Sequence, residues 1–295
     1  MSPLRPASVL FAFLLAAPSL LPAQQKPSSK DAPAASKEAQ ETLAAAKARL
    51  GTGWDYLAQP DCVVLFDFDV KHLDQKPKTL ANAKAGAVEL SLLLAHFRAD
   101  VPPHPDFPKT VPILRVFRDE AGEKAFLGAD TTQKWLTRQT EQIASNEITG
   151  RHGEVAWQWY FRQFIGDELI PERWFRTLCS ARYSRLHASG KQLEYDAPDL
   201  TKKSGQIASV TIDEALVAMN TTDHIDSFLA ALADLLERGP KLLGKDFDPS
   251  WGKIVSIYCT ELRVRSKDQA RKQAFAEVDM AKLEKAVKDW ASKKR

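Results

Sequence analysis

The chain has 295 residues, 44% of them apolar and 27% charged, which is the ordinary composition of a soluble globular protein. It carries 41 Lys and Arg against 38 Asp and Glu. This near balance argues against nucleic acid and anionic lipid as partners, because both attract strongly basic chains.

Residues 1–23 predict a signal peptide. Arg5 forms a short basic region, the apolar stretch SVLFAFLLAAPSLL follows, and LPA ends at Ala23 as a cleavage site. The apolar stretch is too short to span a membrane, so we expect no membrane insertion after signal cleavage. We expect an exported protein, periplasmic or extracellular. Its mature chain has a net charge of +2, because the leader contains Arg5 and no acidic residue.

The residues that follow predict a flexible linker and then a single domain, residues 37–295. The linker, residues 24–36, is rich in Pro, Ser, Ala and Lys and has nothing to bury. Hydrophobic periodicity separates helices from strands in the α/β subregion, residues 37–150. The expected elements are a helix at 37–50, a strand at 62–70, a long helix at 78–99, a strand at 111–117 and a third strand within 141–148.

The second subregion, residues 151–295, predicts helices throughout. The stretch EVAWQWYFRQFI is apolar nearly all round and therefore predicts a buried helix. Pro171 suits the first position of a helix ending near Leu186, and residues 188–209 are expected to form a loop. The stretches TIDE and SKDQ predict capping boxes. The fold class is therefore α+β, with a small mixed sheet and a long helix first and an all-helical C-terminal half.

The stretch that opens with His152 and Glu154 invites comparison with zinc hydrolases. A helical HExxH site needs two His four residues apart, since that spacing puts both imidazoles on one face. The six His of the chain are never closer than eight residues, so the sequence predicts no helical HExxH site.

The surroundings nevertheless resemble those of the gluzincin metallopeptidases of the peptidase MA-like group. The order is strand, long helix, strand, buried helix and then IPERWFRTLCSARY, and FAEVDMAKLEKAVKDW is similar to the closing helix of such domains. In that family a HExxH helix is followed by a P-x-W-x-x-E-G-x-A-x-Y helix, whose Glu is the third zinc ligand.

The resemblance implies a degenerate metal site. Trp157 and Phe161 stand at the positions of the two His, and Gln158 stands at the position of the catalytic Glu. Trp174 matches the Trp of the second helix, and Thr177 occupies the place of the ligand Glu. Every metal ligand and the general base are thus replaced. The resemblance implies no catalytic residue, no metal and no cofactor.

A simpler interpretation of WQWYF is an ordinary aromatic core, because Trp, Tyr and Phe bury large areas and dominate packing. Two further alternatives stay open. One is an active hydrolase with an unrecognised site, using Glu154 or Glu168 as base and His152 as ligand. The other is a structural envelope protein with an unrelated α+β fold.

Other residues with catalytic potential form no recognisable motif. Asp67 and Asp69 share one face of a predicted strand, as an acid/base pair would, although a strand end entering solvent also explains them. Cys179 and His187 have the right chemistry for a nucleophile and its base but lie two helical turns apart. Cys62, Cys179 and Cys259 allow three disulfide pairings or three buried free thiols.

The favoured hypothesis is an exported, non-catalytic peptidase-like protein with a binding or scaffold role. Its cleft is expected between the helix at 151–165 and the helix from Pro171, with His152, Glu154, Trp174 and Tyr183 as cleft residues beside Gln158. By analogy with the family, the partner is expected to be a peptide or an envelope protein.

Overall fold

Four strands of the N-terminal half form a mixed sheet in the order β1-β2-β3-β4. They are β1 (Trp54–Ala58), β2 (Val63–Asp67), β3 (Ile113–Val116) and β4 (Glu141–Ala144). The pair β1–β2 is antiparallel, with Tyr56 opposite Leu65. The pairs β2–β3 and β3–β4 are parallel, with Val64 opposite Leu114 and Leu114 opposite Gln142. Parallel strands need a long connection, which helix α2 (Lys76–Asp100) supplies between β2 and β3.

Alternation along β2 explains why both faces of the sheet are covered. Val63 and Leu65 pack with Ala39 and Ala46 of helix α1 (Lys37–Leu50) in a small apolar cluster. Val64 points to the other face and belongs to the main core, together with α2 and the C-terminal helices. A strand buried on both faces is typical of a sheet placed between helical layers.

The computed structural model describes residues 36–50, 54–58, 62–67, 76–103, 111–116, 121, 141–144, 152–165, 170–220 and 222–293. The predicted signal peptide and the predicted linker up to residue 35 lie outside the described residues. The described residues belong to one compact unit, Ala34–Arg295. No helix within these ranges is long and apolar enough to cross a membrane.

The C-terminal half is built from helices around one long central helix. Its helices are α3 (His152–Ile165), α4 (Arg173–Tyr183), α5 (Ser204–Ala208), α6 (Ile212–Val217), α7 (Asp223–Leu243), α8 (Ile254–Leu262), α9 (Lys267–Ala274) and α10 (Met280–Ser292). The two predicted capping boxes are confirmed: Thr211 caps α6 with Glu214, and Ser266 caps α9 with Gln269. Helix α7 packs against α4, α5, α6 and α10 and carries the buried Phe228, Leu232 and Leu235.

The predicted α+β fold class is confirmed, with one local exception in the helical half. Residues 188–209 were expected to form a loop, and this expectation is wrong for much of the stretch. Strands β5 (Leu186–Ser189) and β6 (Gln192–Tyr195) pair as an antiparallel hairpin, and α5 follows. Gly190 has a φ of 63° in the two-residue turn, the conformation that tight hairpins need and that glycine adopts readily. Leu193 and Tyr195 then pack against the main core.

Candidate functional site

Helices α3 and α4 run antiparallel and enclose a cleft. At one end the Ser180 hydroxyl donates a hydrogen bond of 2.8 Å to Glu154 Oε1. At the other end the rings of Phe161 and Phe175 lie 5.4 Å apart. The cleft has a volume of about 810 Å³, within the range of small-ligand sites.

The four residues of the predicted degenerate metal site line this one cleft. Trp157, Gln158 and Phe161 come from α3, and Thr177 comes from α4. The spacing explains the α3 residues, because positions four apart lie on the same side of a helix. Antiparallel packing explains Thr177, since it brings the middle of α4 opposite the middle of α3. The four positions come from two separate segments of the sequence, and the fold brings them together in one cleft.

Aromatic rings fill the inner wall of the cleft. Trp157 is 4% exposed and Phe161 is 7% exposed, and their ring centroids lie 5.9 Å apart. Trp157 also packs against Tyr183 at 4.4 Å. The rings contribute to the main core, so the plain-core interpretation and the degenerate-site interpretation both describe these contacts. The same residues also border the cleft.

Polar groups occupy the Glu154 end of the cleft. Glu154 Oε1 accepts hydrogen bonds from the Ser180 hydroxyl and, at 3.3 Å, from the Gln158 amide. Gln158 Oε1 is buried and finds no hydrogen-bond partner in the described structure. A buried acceptor without a donor costs roughly 1–3 kcal/mol, which is unusual in a residue with only a packing role.

The opposite end of the cleft contains three arginines. Arg173 is neutralised locally, since its guanidinium donates to Asp226 Oδ1 at 2.5 Å and to the backbone carbonyl of Asn220. Arg162 and Arg176 also line the cleft. Neither makes an ion pair with any residue in the described ranges. Sequence reasoning missed all three, because single arginines on helices are ordinary surface residues until the fold brings them together.

The other two aromatic residues predicted for the cleft lie elsewhere. Trp174 is 1% exposed and packs between Tyr258 and Phe275, with its indole N–H donating to Glu172 at 2.9 Å. Tyr183 is fully buried and donates a 2.7 Å hydrogen bond to Asp100. Neither lines the cleft, because both project from α4 toward the core.

The remaining predicted residues are only partly described. Glu154 lines the cleft, and His152 begins α3, but the His152 side chain lies outside the described part. Glu168 and Asp69, named in the alternative interpretations, also lie outside the described residues. Asp67 is the last residue of β2.

The environment of Cys179 disfavours the alternative in which its thiol is a nucleophile. Cys179 lines the cleft but is 1% exposed, and burial raises the pKa of its thiol well above the ordinary value. Burial has the same effect on the pKa of Cys259. Since the thiolate is the nucleophile, a raised pKa disfavours thiol catalysis. All three cysteines are buried, and none of them is joined to another by a disulfide bond.

A buried ionic cluster next to the cleft was not predicted. The Arg182 guanidinium is 2.7 Å from Glu237 Oε2 and 2.8 Å from Asp100 Oδ2, and His96 Nε2 lies 3.5 Å from the same Glu237 oxygen. The cluster joins α2, α4 and α7. Burial opposes ionisation of Glu237, but the adjacent His96 ring and the charge of Arg182 outweigh it and lower its pKa to about 2. Burial opposes the charged form of Arg182 as well, but its contacts with Tyr183, Asp100 and Glu237 raise its pKa. Arg182 and Glu237 therefore form a buried pair of opposite charges that clamps α4 to α7.

Two further findings bear on the site. In the ranges that the structure describes, no group of three or more His, Cys, Asp and Glu side chains is arranged to hold a metal ion. Comparison with known proteins finds no matching family model and no significant match among curated proteins or solved structures.

Proposed function

We propose that the chain is an exported protein with a non-catalytic, peptidase-like domain that binds a peptide or an envelope protein in the cleft between α3 and α4. One observation carries the proposal. Trp157, Gln158, Phe161 and Thr177 line a single cleft, and these are the positions that the gluzincin resemblance assigns to the metal ligands and the base. On this proposal the metal ligands and the general base have been replaced, while a cleft large enough for a ligand remains.

The identity of the replacing residues supports binding over hydrolysis. Trp and Phe offer no lone pair to a metal, and a Gln amide is neither a carboxylate ligand nor a general base. The aromatic rings instead give the cleft an apolar wall, which suits contact with side chains of a bound segment. An ordinary aromatic core gives no reason for these rings to border a cleft of about 810 Å³.

Metal analysis of the purified protein tests the proposal most directly. The protein is exposed to zinc, dialysed and measured for bound metal. We expect less than about a tenth of an equivalent, because ligand-like spacing is missing. Close to one tightly held zinc per chain would contradict the proposal and favour the alternative of an active hydrolase with a different site.

A further inference from the structure

The cleft is electrically polar along its length. Glu154, Gln158 and Arg162 follow each other at four-residue intervals and therefore form one row along α3. Because α4 runs in the opposite direction, Ser180 lies beside Glu154 and the start of α4, with Arg176, lies near Arg162. One end of the cleft is therefore acidic and the other is basic.

The two ends of the cleft differ in whether their charged side chains are already paired within the protein. Glu154 already accepts two hydrogen bonds, and Arg173 is already paired with Asp226. Within the described structure, Arg162 and Arg176 have no carboxylate partner. Arginine guanidinium groups bind carboxylates through two parallel hydrogen bonds, so two unpaired arginines at one end of a cleft suit an anionic ligand group.

The rim beside the basic end is apolar and exposed. Ile170 lines the cleft and is 61% exposed. Met219 is 92% exposed and precedes Asn220, whose carbonyl accepts the hydrogen bond from Arg173. Large apolar side chains exposed next to a cleft are typical of interaction sites. A ligand that fits this end therefore combines negative charge with apolar side chains.

We propose that the cleft binds an extended acidic peptide segment of a partner protein. Its carboxylates pair with Arg162 and Arg176, and an apolar side chain lies against Ile170 and the aromatic wall at Phe161. The eight residue steps from Glu154 to Arg162 span about 12 Å of helix, a length that roughly four residues of extended peptide cover. This inference rests on the proposed function and names the class of peptide that the cleft selects.

Selection from a library of random heptapeptides displayed on phage tests the proposal with the immobilised protein. We expect enrichment of peptides in which Asp or Glu stands next to Leu, Phe or Trp. A selected peptide, once synthesised, is then titrated against two variants with the same change of charge. Arg162→Glu with Arg176→Glu alters the cleft, whereas Lys241→Glu with Lys245→Glu alters exposed residues that do not line it.

The cleft variant should weaken binding at least about tenfold, which corresponds to roughly 1.4 kcal/mol, and the control variant should leave it unchanged. Binding should also weaken as salt is added, because the arginines are partly solvent-accessible. Circular dichroism verifies that both variants are folded, as expected for substitutions at surface positions.

A third variant, Thr177→Trp, fills the middle of the cleft. It distinguishes failure of the acidic specificity from failure of peptide binding in the cleft. Enriched peptides that are neutral or basic, and that the Thr177→Trp variant no longer binds, would overturn the acidic specificity and leave the proposed function standing. Enrichment no greater than on the folded Thr177→Trp variant would overturn both.

Discussion

Gly153 allows the start of α3 to reach the end of α4, because it has no side chain to keep them apart. A Cβ atom at this position would lie 1.9 Å from the Tyr183 carbonyl oxygen and 3.2 Å from that of Leu186. Both neighbours are backbone atoms and cannot rotate away as a side chain would. Gly153 directly precedes Glu154, so the close spacing of α3 and α4 at this end requires a residue without a side chain.

We therefore expect Gly153→Ala to destabilise the protein by about 1–3 kcal/mol, the usual effect of overpacking a tight contact. Chemical denaturation followed by far-UV circular dichroism measures the change in the free energy of unfolding. Gly205→Ala is the matched control. It lies in helix α5 with nothing within 4 Å of the added atom, and it should stabilise by roughly 0.4–1 kcal/mol. Equal effects of the two substitutions would refute the steric argument.

Glu237 makes the free energy of unfolding depend on pH in the acidic range. Its pKa in the folded protein is about 2, below the ordinary value of 4.5. As pH falls, the unfolded chain therefore takes up the proton first. The stabilisation by ionised Glu237 is complete above pH 4.5 and is lost between pH 4.5 and about 2.

The expected contribution of Glu237 is on the order of 3 kcal/mol. The free energy of unfolding of Glu237→Gln, measured against pH, should lie below that of the wild type at neutral pH and approach it near pH 2. Glu277→Gln, an exposed carboxylate, serves as the control and should run parallel to the wild type. A gap between wild type and Glu237→Gln that stays constant with pH would contradict this account.

The ionic contacts around Arg182 could not be predicted from the sequence. Its carboxylate partners, Asp100 and Glu237, lie 82 and 55 residues away along the chain. No spacing rule connects residues so distant, because their meeting depends on how three helices pack. The cleft positions were predictable for the opposite reason: Trp157, Gln158 and Phe161 share one helix face, and their spacing is local.

At the scale of elements, prediction succeeded where a local signal was strong. Helix α1 and the capping boxes of α6 and α9 follow from composition and from side chains within one turn. Strand β1 was missed, because WDYLA is short and its pairing with β2 is not local. The sequence of the hairpin β5–β6 predicts a loop, because its many polar residues obscure the weak alternation of its buried positions.

The facing geometry of α3 and α4 makes the degenerate-site hypothesis testable by restoration. Trp157→His, Phe161→His and Thr177→Glu together place two imidazoles one turn apart with a carboxylate across the cleft. We expect this triple variant to bind about one zinc per chain, since zinc accepts N and O ligands in a tetrahedral site. Bound zinc is measured directly, and added zinc should also raise the melting temperature, because it binds only the folded state.

The control for restoration uses the same residue types with the wrong spacing. Trp157→His with Trp159→His and Thr177→Glu puts the two imidazoles on different sides of the helix. Removing buried aromatic rings costs about 3–5 kcal/mol each, so both variants are compared only where circular dichroism shows native helix content. Equal zinc binding by the two folded variants, or none by either, would argue against the assignment of these positions.

At the scale of the whole molecule, α7 and α10 connect the cleft-bearing helices to the rest of the helical half. Asp234 of α7 is fully buried and accepts hydrogen bonds from Arg238 Nε and from the Trp290 indole N–H, both at 2.7 Å. Helix α10 also buries Leu283 and Val287 in the main core. The closing helix is therefore part of the one core on which α4 and the cleft depend.

Deletion of residues 280–295 is accordingly expected to abolish cooperative folding. Each large apolar side chain lost with α10 removes about 1.5–3 kcal/mol, and Asp234 loses its indole donor inside the core. Together these losses approach the whole stability of a typical domain, about 5–15 kcal/mol. Thermal denaturation of the truncated chain should show no sharp transition, whereas a chain lacking only residues 293–295 should melt like the wild type. A truncated chain that melts cooperatively, with an intact cleft, would mean that α10 packs on a domain already complete without it.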